Sequence, residues 1–149
     1  MDQEDGFEQA YRAHFAPLMR VAFLLTGSNA AAEDAVHEVF LRCAGRLDTL
    51  DHPTSYLRTA VVNECRTQHR RRLRAAAAAE PSDADALPHD LVELRDALAG
   101  LAPRQRAAVV LRYFVDLPEA EIAEVLGCRP ATVRSLVHRA LTHLREVLA

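Results

Sequence analysis

The sequence predicts an all-α chain of two small helical domains joined by a flexible acidic linker, the C-terminal domain ending in a helix-turn-helix. Three observations carry this. Half of the 149 residues are hydrophobic, yet aromatics make up only 5% and Trp is absent, so Leu, Val and Ala must build the core. Ala is abundant and Gly limited to five residues, which favours helix because Ala loses little conformational freedom there. Apolar residues recur three or four positions apart, and no segment alternates as a strand would. "AAAAAEPSDADALPHD", Ala75 to Asp90, carries Leu87 as its one large apolar residue, and Pro81 ends any helix entering it. The domains are therefore expected at 5–74 and 91–149, with 75–90 as linker.

Phe7, Tyr11, Phe15, Leu18, Ala22 and Leu25 mark a first helix, with a kink expected at Pro17 and a stop at Gly27. Ser28 or Asn29 can accept hydrogen bonds from the free N–H groups of the following turn, capping a second helix that runs to about Leu47. Its Val36, Val39, Phe40, Cys43 and Leu47 form one apolar face, with Asp34, His37, Glu38, Leu41 and Arg42 opposite. Leu41 is either a stray leucine on a solvated face or the apolar anchor of a partner-binding surface with a polar rim.

A third helix starts at Pro53, whose missing N–H suits a first helical turn. Leu57, Ala60 and Val61 supply its core face; Thr59, Asn63, Arg66 and Arg70 form a polar stripe on the far side. Arg71, Arg72 and Arg74 thicken the charge. A basic helix end suits the helix dipole, but six Arg between Tyr56 and Arg74 exceed that need and favour a nucleic-acid face.

Further helices are expected near Leu91–Ala99, Pro103–Val115, Glu119–Leu126 and Pro130–Leu148. In the last pair, Ile122, Ala123 and Leu126 point inward and Gly127 supplies the turn. Val133, Val137, Ala140, Leu141, Leu144 and Leu148 give the final helix a buried face. Arg134, Ser135, His138 and Thr142 lie opposite, flanked by Arg139, where the second helix of a helix-turn-helix meets the major groove. Arg129 stands where Ser or Thr would ordinarily cap, a position from which it can reach a phosphate.

Charge is segregated along the chain. All 18 basic residues are Arg, against 21 acidic ones. Between Met1 and Phe40 seven acids face two Arg; between Tyr56 and Arg74 six Arg face Glu64; between Ala75 and Asp96 six acids face Arg95; from Arg129 onward four Arg face Glu146. Two basic patches thus stand between acidic stretches. Cys43, Cys65 and Cys128 are odd in number and far apart, and the seven His form no ligand-spaced cluster, so neither a disulfide framework nor a metal site is expected. No nucleophile–base pair, carboxylate dyad or phosphate-binding Gly loop appears, so the reading expects no catalytic residue and no cofactor. The acidic N-terminus is wrong for a signal peptide and no apolar run is long enough to span a bilayer; no membrane insertion and a cytoplasmic location are expected.

The order of these parts resembles the group IV, or extracytoplasmic-function, sigma factors of bacterial RNA polymerase. "AAEDAVHEVFLR" is similar to the family's "DAEDLVQEVFLR", "SYLRTAVVNECRTQHRRR" to its "AWLYRIARNLALDHLRRR", and the segment from "LAGLAPRQRAAVVLRYF" to "LTHLRE" follows its C-terminal domain. The resemblance implies that 5–74 is sigma region 2 and 91–149 sigma region 4. It implies core RNA polymerase as partner, through the β′ clamp helices and the β subunit, together with promoter DNA; an inhibitory anti-sigma factor is a further partner common in the family. Asp34, Glu38, Leu41 and Arg42 match the clamp-docking helix. Arg58, Asn63, Arg66, Arg70 and Arg71 match the helix that recognises and melts the −10 element, with Leu47 to Ser55 as the preceding loop. Arg129, Thr132, Arg134, Ser135, His138 and Arg139 match the helix that reads the −35 element. The chain departs from the pattern at His37 (usually Gln), Tyr56 (Trp), Thr67 (Asp) and Leu136 (basic or polar).

From the residues alone two rivals stay open. One is a stand-alone helix-turn-helix regulator that binds operator DNA without polymerase; the other is a helical adaptor or sigma-like inhibitor.

Overall fold

The computed structural model describes residues 3–75 and 88–148, and every regular element among them is helical. They fall into two compact units, one on each side of the boundary between residues 82 and 83. Most of the expected linker lies outside the described residues.

The first unit is a three-helix arrangement of α1 (Gln3–Thr26), α2 (Asn29–Cys43) and α3 (Pro53–Ala75), each packed against the other two. α1 runs as one helix through Pro17, which is exposed. Its C-terminal half buries Leu18, Val21, Ala22, Phe23 and Leu24, on more than one face. The expected stripe included only Leu18 and Ala22 of these, because here the helix is covered on two sides rather than one. Gly27 then takes a left-handed conformation at φ +74°.

Ser28 caps α2: extended at φ −140° and ψ 131°, it accepts a hydrogen bond from the Ala31 N–H at 3.3 Å. Val36, Val39, Phe40 and Cys43 are buried as a group. The helix ends at Cys43 rather than Leu47. Beyond it the Arg46 N–H donates to the Cys43 carbonyl, and a short 3-10 turn, Leu47–Thr49, carries Leu47 into the core from a separate element. α3 begins at Pro53, its first turn closed by the Tyr56 N–H on the His52 carbonyl at 3.1 Å. Leu57 and Val61 are buried as expected, joined by Val62 and Cys65, whereas Ala60 is only half-buried.

The second unit comprises α4 (His89–Leu98), α5 (Pro103–Val109), α6 (Glu119–Leu126) and α7 (Pro130–Leu148), with α7 packing against the other three. α4 begins two residues before the expected Leu91. The helix expected to reach Val115 stops being α-helical at Val109 and widens into a π turn over Val110–Phe114, with the Val115 N–H on the Val110 carbonyl. Asp116 follows at φ +64°, and the Leu117 N–H closes on the Leu111 carbonyl at 2.9 Å. Val110, Leu111 and Leu117 are buried, while Tyr113 and Phe114 face outward.

Gly127, at φ +67°, forms the turn between α6 and α7, and both its N–H and that of Cys128 reach the Ala123 carbonyl. Only Val133 and Ala140 of the expected α7 face are fully buried; Val137, Leu141 and Leu144 are half-buried. Leu148 is exposed, along with the whole last turn from Arg145. That turn shows no burial to match its apolar residues.

Candidate functional site

Three surfaces gather the residues picked out from the sequence. On α2, burial of one face forces Asp34, His37, Glu38, Leu41 and Arg42 outward, and all five are exposed. Leu41 is 71% exposed, the most open large apolar side chain among the described residues. This surface is partly braced from within. Arg42 donates through Nη2 to the Glu64 carboxylate of α3 and, at 3.5 Å, through Nε to Glu38 one turn away. The Glu64 hydrogen bond holds the Arg42 pKa above its ordinary value, against the opposing pull of desolvation. His37 stacks on Phe15 with ring centroids 5.6 Å apart and shares a 3.1 Å hydrogen bond with the Tyr11 hydroxyl. Tyr11 in turn stacks on Phe15 at 4.7 Å. The histidine that replaces the family's usual Gln is therefore seated on an aromatic shelf of α1.

The second surface is α3 with the segment before it. Asn63, Arg70 and Arg71 are exposed; Arg58, Thr59 and Arg66 are half-buried. Thr67, at the departure from Asp, returns its hydroxyl to the Asn63 carbonyl at 3.0 Å. The loop is tied across its two ends: Arg46 Nη2 donates to the Tyr56 hydroxyl at 2.6 Å, and the guanidinium carbon Cζ lies 5.8 Å from that ring's centre.

The third surface is the outer side of α7. Arg129, Arg134, Ser135, His138 and Arg139 are all exposed, and Thr132 is half-buried. The Arg129 carbonyl accepts from the N–H groups of Thr132 and Val133, so Arg129 caps with its backbone and its side chain is left to the surface. Leu136, where a polar residue is usual, is half-buried. The α6–α7 turn is braced from outside by Arg134, whose Nε lies 3.7 Å from the Glu119 carboxylate.

Two residues central to this geometry carry no structural role in the sequence reading. Glu64 is the one buried charged or polar residue among those described. It follows Leu57 and Val61 at i+7 and i+3, so helical spacing did place it on the core face; only its charge disguised it. Arg106 of α5 donates to the carbonyls of Leu98, Leu101 and Ala99 at 3.0, 3.2 and 3.3 Å, and burial lowers its pKa. It closes the end of α4 where those carbonyls have no helical partner. No short-range pattern announces that role.

Among the described residues, no group of three or more His, Cys, Asp or Glu could hold a metal ion, and no helix is long and apolar enough to cross a membrane.

Known proteins match both units. The family described as Sigma-70 region 2 matches residues 10–75, and Sigma-70, region 4 matches residues 91–144. The RNA polymerase sigma-E factor of Streptomyces coelicolor is 34% identical over 95% of this chain and 85% of its own length. The ECF RNA polymerase sigma factor SigE of Mycolicibacterium smegmatis is 33% identical over 97% of this chain and 62% of its own. Among solved structures, the sigma factor RpoE of Bartonella quintana, in complex with the anti-sigma factor NepR, superposes with a TM-score of 0.76 at 26% identity, covering 95% of this chain and 96% of that one. With two sigma-70 regions in order and relatives this similar over most of their length, the chain belongs to the extracytoplasmic-function sigma factors, the promoter-specificity subunits of RNA polymerase.

Proposed function

We propose that the three surfaces divide the work of promoter recognition. Residues 5–74 form the unit that docks on core polymerase and engages the −10 element; residues 91–149 form the unit that engages the −35 element; residues 75–90 join them. Asp34, Glu38, Leu41 and Arg42 meet the β′ clamp helices. Arg58, Asn63, Arg66, Arg70 and Arg71 meet the −10 DNA. Arg129, Thr132, Arg134, Ser135, His138 and Arg139 meet the −35 DNA.

The observation that carries the docking assignment is Leu41, 71% exposed and bordered on its own helix by Glu38 and Arg42, which are themselves joined. An open leucine inside a polar rim with prearranged charges has the anatomy of an interface anchor. The DNA assignments rest on exposed Arg clusters, which gain affinity by releasing counterions from phosphate. Each patch is small and the chain carries a net charge of −3. Binding to DNA is therefore weak without polymerase, and both elements are engaged together within the holoenzyme. Melting depends on capture of unstacked bases, which offsets a cost of a few kcal/mol per base. RNA synthesis belongs to the polymerase; this chain contributes no catalytic group of its own and works in the cytoplasm. An anti-sigma factor is part of the same reading, supported by the Bartonella quintana relative held in such a complex.

The deciding experiment is size-exclusion chromatography of the purified protein with bacterial core RNA polymerase. One-to-one co-elution that disappears in Asp34→Arg/Glu38→Arg supports the docking assignment. Co-elution unchanged by that double substitution removes the α2 face from the reading. Absence of co-elution by a folded, inhibitor-free protein, joined to tight DNA binding without polymerase, would replace the proposal with a stand-alone regulator.

A further inference from the structure

Glu64 poses a physical problem. Its side chain is only 6% exposed, on the core-facing side of α3, where Leu57 and Val61 are fully buried. A buried carboxylate is costly to desolvate, and a well-packed apolar side chain of similar volume usually serves stability as well or better. Packing therefore gives no reason for a carboxylate here. Its ion-pair partner among the described residues is Arg42, 22 positions away in sequence on the helix that carries the proposed docking face.

Arg42 is not buried: its side chain is 54% exposed, and it bridges two carboxylates, Glu64 beneath it and Glu38 beside it. Glu38 is 51% exposed, and among the described residues Arg42 is the group that holds it. The three groups form a relay from the interior to the surface: a fixed carboxylate, a guanidinium seated on it, and a second carboxylate steadied by that guanidinium. A long, exposed Arg on a helix surface samples many rotamers, and a partner must freeze them on binding. Seated on Glu64, Arg42 has already lost most of that freedom in the free protein.

We propose that Glu64 is a positioning residue for polymerase docking: from inside the first unit it preorganises Arg42, and through Arg42 the Glu38 carboxylate, in the arrangement the polymerase meets. The proposal rests on the docking assignment above and adds a residue that never touches the partner. Asn63 and Arg66, on either side of Glu64 in sequence, belong to the proposed −10 surface, so the same tie joins α2 to the helix that faces DNA.

The test is a double-mutant cycle on the full chain, reading core-polymerase affinity by equilibrium titration and stability by urea unfolding. Glu64→Leu matches the volume and the buried surroundings. It should keep or raise the urea midpoint yet weaken core binding roughly two- to tenfold, the scale set by one side chain left to be immobilised. Arg42→Ala should weaken binding at least as much, and Glu64→Leu added to Arg42→Ala should change it by less than about twofold, because Glu64 acts only through Arg42. Glu64→Gln, which keeps the shape and a weaker hydrogen bond, carries the same cycle if the leucine variant does not fold. Core affinity equal to wild type in the Glu64 variant overturns the proposal, whatever the urea midpoint does, as does full additivity with Arg42→Ala. The Asp34→Arg/Glu38→Arg control separates the two levels. If wild type binds and the control does not, an unaffected Glu64 variant sinks only the positioning role. If wild type does not bind core polymerase, the docking assignment and this proposal fall together.

Discussion

Arg134, on the first turns of the helix proposed to read −35 DNA, is held 3.7 Å from Glu119 at the start of α6, so one of the groups proposed to contact DNA is paired within the protein. Both side chains are substantially exposed, and such a pair contributes at most about 1 kcal/mol. Glu119 therefore acts as a mild competitor for the guanidinium rather than a lock. Glu119→Gln is expected to raise affinity of the holoenzyme for a cognate promoter by less than about fivefold, with a steeper salt dependence. Arg134→Ala should reduce promoter-directed transcription with little change in core binding. Promoter titrations at several salt concentrations, beside core-binding measurements on the same variants, check both.

Arg106 donates to three carbonyls at and just beyond the end of α4; its removal leaves Leu98 with the Leu101 N–H but takes the side-chain donor from Ala99 and from buried Leu101. Arg106→Ala is expected to destabilise the second unit by about 1–3 kcal/mol. Arg106→Lys should recover only part of this, because an ammonium cannot match the planar spread of a guanidinium. Urea titration followed by far-ultraviolet circular dichroism reads the effect. A stability equal to wild type in the alanine variant would show that water replaces the side chain at those carbonyls.

Gly127 tests the turn of the helix-turn-helix. A Cβ built there meets nothing within 4 Å, so the whole cost of a side chain comes from the backbone at φ +67°. Gly127→Ala should cost roughly 1–2 kcal/mol, the penalty of the left-handed conformation for an ordinary residue. Gly127→Asn should cost less, since Asn tolerates that region. Loss of more than this in both variants would mean that the neighbouring structure, not the dihedral, is what glycine serves.

The cysteines differ in reactivity for a readable reason. Burial, reinforced by the adjacent Glu64 carboxylate and opposed by Arg72, pushes the Cys65 thiol up to about 12. Cys43 is buried as well, whereas Cys128 is partly exposed at the α6–α7 turn. A thiol reagent at neutral pH should modify Cys128 in the native protein and the other two only on unfolding. The sign for stability follows from linkage: a thiol whose folded pKa is raised contributes nothing that changes below the unfolded value near 9, and stability falls as pH rises from about 9 towards 12. A Cys65→Ala variant should lose that alkaline component, seen as a flatter urea midpoint over the same range.

Among the described residues, seven α-helices in two units, a cap at Ser28 or Asn29 that proved to be Ser28, the start of α3 at Pro53, the turn at Gly127 and the outward faces of α2 and α7 were legible in the chain. Each depends on signals confined to a few consecutive residues: a side chain that reaches its own backbone, a missing N–H, a missing Cβ, or a repeat close to 3.6. Family resemblance then attached polymerase and promoter DNA to those faces. What the tertiary structure decided was pairing across elements. It turned Glu64 from one acid in a basic stretch into a buried partner of Arg42, laid His37 against Tyr11 and Phe15, placed Arg106 under the end of α4, and covered α1 on two sides around Phe23 and Leu24. It also shows the turn after Val109 widened, where the expected α-helix gives way to a π turn closed by the Val115 N–H on the Val110 carbonyl. The pairings join residues far apart in sequence. A helix's own period states which residues share a face, but the rotation and register of its neighbour decide which side chain meets that face, and that is settled only when the helices pack.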